Sequence, residues 1–137
     1  MSIRIISNAT VSDYDGYLAF ARKWEDLVRN SPGAVRVEAY GDRKTNTVFF
    51  DEEWADGDAL LHHVGQMQES GLLDELMQRQ TMEAPVLLTP TDHAGVLTLL
   101  DQFGARRMER IALVEKYGSS ADAIARRTHE IDPVRSN

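Results

Sequence analysis

The feature that most constrains the fold is an apolar run followed at once by the start of a helix. Residues 47–54 read Thr-Val-Phe-Phe-Asp-Glu-Glu-Trp, and their aromatic and β-branched side chains predict a strand. Asp56 or Asp58 can then cap a helix that extends to about residue 68. A junction this short brings the end of a strand and the start of a helix into one small volume.

The same patterns predict the order β-α-β-β-α-β over residues 3–90. The elements are a strand at 3–9, a helix capped by Ser12 with Asp15 in a capping box and ended by residues 30–33, strands at 35–40 and 47–54 around a polar loop at 41–46, helical segments at 56–68 and 72–80, and a strand at 82–89. This order is typical of ferredoxin-like α+β folds, whose four-stranded antiparallel sheet carries helices on one face.

The second face of this sheet needs a cover. In the strand at 47–54, Val48, Phe50 and Trp54 point one way, while Phe49 points the other. A partly apolar second face in a small chain suggests a second sheet packed on it from an identical subunit, that is, a homodimer. The alternative is that the C-terminal segment covers this face.

Residues 91–137 form an extension that packs on the same domain or on a partner subunit. Thr91 or Asp92 can cap a short helix that ends near residues 103–104. We expect a strand at 107–117, although its residues also form helices well, then a short helix at 119–127 capped by Ser119 or Ser120. Residues 128–137 are expected to be frayed.

Composition excludes several classes of function. The net charge of −7 argues against a nucleic-acid surface, and no stretch approaches the roughly 18 apolar residues that span a membrane. The chain has no cysteine, which removes disulfides, thiol nucleophiles and thiolate metal sites. With no recognisable secretory leader, a cytoplasmic location is expected.

Residues 3–90 resemble the antibiotic biosynthesis monooxygenase domain of the dimeric α/β-barrel superfamily. The resemblance lies in the first strand and helix, in Asn-Ser-Pro-Gly-Ala-Val-Arg-Val-Glu-Ala-Tyr at 30–40, in Glu-Trp-Ala-Asp at 53–56 and in Ala-Leu-Leu-His-His-Val at 59–64. It implies a dimeric barrel around a small apolar pocket. Related domains include oxygenases, haem-degrading enzymes and proteins without known activity, so the reaction does not follow from the fold.

His63 is the first candidate for chemistry. It follows Leu60 by three residues and precedes Met67 by four, which places all three on one apolar helix stripe. A histidine in a dry pocket is neutral and can act as a general base. The resemblance supports this position, because a histidine there often faces the cavity; the structural alternative is a packed histidine bonded to the backbone.

The other candidates are aromatic or amide side chains. Trp54 could wall an aromatic ligand and offer its N–H, or could simply fill the corner between strand and helix. Asn8 could hold an oxyanion, as a similarly placed asparagine does in related oxygenases, or could be a residue of a strand end. Phe50, Tyr40 and Tyr17 are further candidates for the pocket wall.

A metal site is not expected. Strand alternation puts only Asp51 and Glu53 of the three acidic residues on one face, and these are more often partners for an arginine such as Arg36. Neighbouring histidines at 62 and 63 diverge around a helix and cannot chelate together. No histidine follows nine to eleven residues later, where the haem-degrading relatives carry their iron ligand.

Two functions are therefore open. One is a cofactor-independent monooxygenase acting on a small phenolic or quinol-like aromatic, in which His63 removes a proton and Asn8 and Trp54 hold the oxyanion. The other is a non-enzymatic dimeric domain that binds a small apolar or aromatic molecule or serves in an interaction. Convergence of a base and an oxyanion donor on the pocket separates the two.

Overall fold

The computed structural model describes residues 1–111. Its elements in chain order are β1 (Ile3–Val11), α1 (Tyr14–Arg29), β2 (Ala34–Asp42), β3 (Thr47–Trp54), α2 (Gly57–Ser70), α3 (Leu72–Arg79), β4 (Gln80–Met82), β5 (Val86–Leu87), α4 (Ala94–Gln102) and β6 (Arg106–Arg107). The predicted strand at 107–117 and the predicted helix at 119–127 lie wholly or mostly outside the described residues.

The sheet confirms the ferredoxin-like α+β fold and corrects its strand count. The order is β2-β3-β1-β5-β6, and β4 also pairs with β1, so the sheet has six strands instead of four. The strand predicted at 82–89 is two short strands, which pair with opposite ends of β1 around the buried Pro85. Proline lacks the N–H that a continuous strand would donate, which accounts for the break. β6 then adds a parallel strand beside β5.

Strand alternation divides the sheet into a buried face and an open face. Along β1, Ile3, Ile5 and Ser7 are buried, while Asn8 is exposed. In β2 the alternation shifts at a bulge between residues 34 and 36, which leaves Val35 exposed. Side chains opposite the helices therefore form one open face across β1, β2 and β3.

All four helices lie on the buried face, where they form two adjoining clusters of core residues. One cluster joins α1, α2 and α3 to the sheet around Phe20, Phe50 and Met67. The other joins α2 and α4 to the sheet around Trp54 and Val96. No helix within residues 1–111 is long and apolar enough to span a bilayer.

Two predicted helix caps are wrong by one or two residues. The Asp13 carboxylate, and not Ser12, accepts the Gly16 N–H at the start of α1. At the start of α4, His93 Nδ1 accepts the Val96 N–H, although Thr91 or Asp92 was predicted. Both sites offered several side chains able to cap, so the sequence placed the helix start but did not select the residue.

The described part of the extension packs on the helix side of the same chain. His93 Nε2 lies 2.8 Å from an Asp58 carboxylate oxygen at the start of α2. Contact is close because Gly57 has no side chain: a methyl group there would come within 2.6 Å of the His93 ring. Helix α4 therefore docks on α2 and becomes part of the wall behind the sheet.

Candidate active site

A small, mostly apolar pocket lies between the buried face of the sheet and the helices. Its volume is about 110 Å³. Its lining is Ile5, Ser7, Trp24, Phe50, Glu52, Leu60, His63, Val64, Met67, Leu73, Leu76, Met77, Gln80, Met82, Pro85, Leu99, Leu100 and Phe103. The extension contributes the last three residues through α4, so it closes one side of the pocket.

Glu52 is an ionisable group of this pocket whose pKa is strongly perturbed. It lies on the inner face of β3 between Phe50 and Trp54, is partly accessible and lines the pocket. Burial raises the pKa of its carboxyl to about 7, against the smaller opposing influence of the Trp54 N–H. No salt bridge to Glu52 forms within the described chain. An unpaired carboxyl with this pKa can both accept and return a proton near neutral pH.

Tyr17 and Gln80 form a second polar group beside the pocket. The Tyr17 hydroxyl donates to Gln80 Oε1 at 3.1 Å, and both side chains are buried. Burial raises the pKa of Tyr17 well above its usual value, and the nearby charge of Glu52 raises it further. Tyr17 therefore stays protonated and fixes the orientation of the Gln80 amide.

Two hydrogen-bond donors on the pocket wall remain available to a ligand. Because Gln80 Oε1 is held by Tyr17, its Nε2 carries the free amide hydrogens, and Nε2 has no partner among the described residues. The Ser7 hydroxyl also lines the pocket without a partner in residues 1–111. Both side chains are nearly inaccessible otherwise, so a ligand oxygen in the pocket is their natural acceptor.

His63 is buried, at 2% exposure, and both of its ring nitrogens are engaged. The Trp24 indole N–H donates to Nε2 at 3.1 Å, so the proton of the neutral ring lies on Nδ1, 3.2 Å from Ser31 Oγ. Ser31 in turn donates to the Leu27 carbonyl at 2.7 Å. Burial lowers the pKa of His63 to about 4, with a smaller contribution from His62. The ring is therefore neutral, as predicted, and it can act as a base only after Trp24 releases Nε2.

Trp54 is fully buried behind this histidine. Its ring stacks on His63 with centroids 4.5 Å apart, and its Nε1 makes no hydrogen bond of normal geometry in the described part of the chain. Its N–H nevertheless favours the ionised form of Glu52. Trp54 thus fills the corner between strand and helix, which was one of the two roles considered for it. It also lowers the pKa of the Glu52 carboxyl slightly.

The structure brings together most of the predicted pocket residues and separates two of them. Phe50, Leu60, His63 and Met67 line the pocket, and Tyr17 lies directly beside it through Gln80. By contrast, Asn8 is exposed on the open face of the sheet, and Tyr40 on the same face is 57% exposed and bonds to Glu38. Neither Asn8 nor Tyr40 reaches the pocket, because both have the strand parity opposite to Phe50.

Asp51 and Glu53 lie on the open face and pair with arginines, as predicted. Arg36 lies 2.9 Å from Asp51 and 4.0 Å from Glu53, and Arg4 bonds Asp51 through two nitrogens at 3.2 Å. These arginines lower the pKa of Asp51 to about 2. Residues 1–111 contain no cluster of three histidine or acidic side chains able to hold a metal.

Sequence reasoning missed Glu52 and Gln80 as site residues. The parity that places Asp51 and Glu53 on one face necessarily turns Glu52 toward Phe50 and Trp54, so the signal for Glu52 was present. Gln80 carried no such signal, because its position depends on how α3 ends and β4 begins.

Comparison with solved structures confirms the antibiotic biosynthesis monooxygenase-like fold. MupZ from Pseudomonas fluorescens aligns with a TM-score of 0.70 at 13% sequence identity, over 84% of this chain and 89% of the MupZ chain. Because 84% of this chain is more than 90 residues, the alignment with MupZ extends into the C-terminal extension. SnoaB, a cofactor-independent oxygenase from Streptomyces nogalater, aligns with a TM-score of 0.57 at 20% identity, over 68% and 96%. A protein described as an antibiotic biosynthesis monooxygenase aligns with a TM-score of 0.55 at 22% sequence identity, over 65% of this chain and 98% of its own. No family model and no curated protein matches the sequence.

Proposed function

We propose that this chain is a cofactor-independent monooxygenase of a small phenolic or quinol-like aromatic, with Glu52 as its general base. One observation carries the proposal: an unpaired carboxyl with a pKa of about 7 lies in an apolar pocket whose other free polar groups are donors. Two structures that share the fold are described as a cofactor-independent oxygenase and an antibiotic biosynthesis monooxygenase, which supports the reaction class. Glu52 takes the role predicted for His63, because His63 Nε2 is already bonded.

The raised pKa of Glu52 makes the first proton transfer easier. A phenolic hydroxyl has a pKa of about 10, so transfer to a base of pKa about 7 is uphill by about 4 kcal/mol. A glutamate at its ordinary value would make the same step uphill by about 8 kcal/mol. Donors from Gln80 and Ser7 would stabilise the phenolate oxygen that results, which is the role first predicted for Asn8.

The rest of the reaction needs oxygen and no cofactor. The phenolate gives one electron to O2, and the phenoxyl radical and superoxide then combine to form a C–O bond opposite the hydroxyl. The peroxide takes back the proton from Glu52. Loss of the ring hydrogen with cleavage of the O–O bond releases water and leaves a quinone, so that phenol and O2 give quinone and water. The mostly apolar lining leaves Gln80 and Ser7 as the main polar partners of the phenolate.

Oxygen uptake tests the proposal directly. Purified protein is supplied with a panel of phenols, including anthrone-like phenols, whose position opposite the hydroxyl is free, and uptake is compared between wild type, Glu52→Gln and His63→Ala. We expect uptake by wild type and its loss in Glu52→Gln. Failure of wild type to consume oxygen with every compound would reject the oxygenase in favour of a binding domain.

We also propose that the open face of the sheet is the interface of a homodimer. In the described chain this face carries no helix, and it mixes the apolar Ile6 and Phe49 with the ion pairs of Asp51. The described part of the extension packs on the opposite side, so it does not supply the cover. Light scattering at micromolar concentration should give twice the chain mass; a clean monomer would refute the shared sheet.

A further inference from the structure

We propose that Trp24 is a movable partition that sets the length of ligand the pocket accepts. In its present position the indole closes the pocket at the α1 side. When it turns, the pocket opens into an outer groove, and His63 Nε2 becomes free for the ligand. This inference rests on the proposed ligand site in the pocket, but not on the reaction that occurs there.

An outer groove also borders the Trp24 indole. It has a volume of about 220 Å³ between α1 and β2. Its lining is Ala21, Trp24, Glu25, Val28, Val37 and Ala39. Trp24 is the residue common to the two linings, so a single side chain separates the inner pocket from the groove.

The volumes indicate that the inner pocket alone suits a ligand of at most one ring. A cavity of about 150 Å³ in another protein accommodates benzene, and this pocket measures about 110 Å³. Ligand pockets usually measure about 300–1,000 Å³, a range that this pocket reaches only when it is joined to the groove. A bicyclic phenol with its hydroxyl at Glu52 would therefore extend its second ring past Trp24.

The contacts of Trp24 permit this movement. Its ring packs on Phe50 and His63 with centroids 5.3 Å and 6.4 Å apart, and the single hydrogen bond of the ring within the described residues is the one to His63 Nε2. A hydrogen bond between two uncharged groups contributes only about 1 kcal/mol to the stability of a protein. A ligand hydroxyl could replace the indole as donor to His63. The small side chains of Ala21 and Ala39 leave room beside the ring on the groove side.

Calorimetric titration with phenol and 2-naphthol tests the proposal without requiring turnover. In Trp24→Ala, we expect the affinity for 2-naphthol relative to phenol to rise at least tenfold over wild type. Trp24→Phe keeps a ring but removes the N–H, and should shift the preference less. An unchanged ratio in Trp24→Ala would overturn the partition.

Ala39→Leu provides the matched control, because Ala39 is exposed and lines the groove but not the inner pocket. Alone, it should weaken 2-naphthol about tenfold and leave phenol unchanged; combined with Trp24→Ala, it should cancel the gain for 2-naphthol. This variant keeps the test decisive even if Trp24→Ala does not fold. Equal effects on both ligands, or no binding of either ligand to any variant, would overturn the proposal.

The outcome is distinguishable from that of the oxygenase proposal. Size selection that follows Trp24 and Ala39 without oxygen uptake would support the partition and reject the oxygenase. If oxygen uptake depends on Glu52 but the affinity for 2-naphthol relative to phenol is the same in wild type and Trp24→Ala, the oxygenase is supported and the partition is rejected.

Discussion

Replacement of Glu52 by glutamine should stabilise the protein at alkaline pH and leave its stability unchanged at acid pH. Burial raises the pKa of Glu52 from 4.5 to about 7 in the folded chain. Because the folded pKa lies above the unfolded one, the proton stabilises the folded state fully below about pH 4.5. That contribution is lost as the pH rises through about 7.

The size of the effect follows from the shift. Each pKa unit corresponds to about 1.4 kcal/mol, so the 2.5 units between the two states amount to roughly 3 kcal/mol. Glutamine keeps the shape of the side chain but carries no charge to desolvate. We therefore expect Glu52→Gln to exceed wild type by up to roughly 3 kcal/mol in free energy of unfolding above pH 8, and to match it at pH 4.

Urea unfolding at intervals between pH 4 and 9 measures this difference. Glu53→Gln is the matched control, because Glu53 is the next residue but lies on the open face, where it pairs with Arg36. Loss of that surface pair should cost less than about 1 kcal/mol. A Glu52→Gln difference that is the same at pH 4 and pH 8, or that is absent at pH 8, would refute the reasoning. The same variant should lose oxygen uptake by about 10²–10⁴-fold if Glu52 is the base.

Three further predictions concern the surrounding structure. Since burial lowers the pKa of His63 from 6.5 to about 4, the contribution of His63 to stability should fall by about 3 kcal/mol as the pH drops through that interval and offset the gain from Glu52, so His63→Asn should gain about 3 kcal/mol relative to wild type over the same unfolding series. Gly57→Ala should lower stability by about 1–3 kcal/mol in thermal unfolding, because its methyl group would push against His93 and Val96. Gly65→Ala, with open space around it in the same helix, should instead raise stability by about 0.5–1 kcal/mol, and equal effects would contradict the close packing of α4. Phe49→Asp should convert a dimer to a monomer in light scattering, whereas a dimer that persists would place the interface elsewhere.

Local patterns allowed much of the fold to be predicted. Alternation along β3 separated its two faces because each strand residue reverses direction, and the candidate cap at Asp56 marked the start of α2. The split between β4 and β5 was missed, because the pairing of both with β1 depends on contacts about 70 or more residues apart in sequence.

The site was predictable only where one element determined it. His63, Leu60 and Met67 share a helix stripe, so their common direction followed from spacing alone. The hydrogen bond between Trp24 and His63 joins two residues that are 39 positions apart in the sequence and lie on different helices, so no local pattern predicts it. This bond occupies the Nε2 atom with which His63 was predicted to act as a base, and it exists only because α1 packs on α2.

The placement of the two indoles has a spectroscopic consequence. The sequence contains two tryptophans, and both rings pack against His63, with centroids 6.4 Å and 4.5 Å away. Tryptophan fluorescence of the protein is therefore emission from two rings that both contact His63. Trp24 alone reaches the outer groove, so the emission of Trp24→Phe comes from the buried Trp54 and should remain blue, while any solvent-dependent red component of wild type belongs to Trp24. The emission of Trp54 therefore reports on the buried core, and the emission of Trp24 reports on whether its indole is exposed to solvent in the groove.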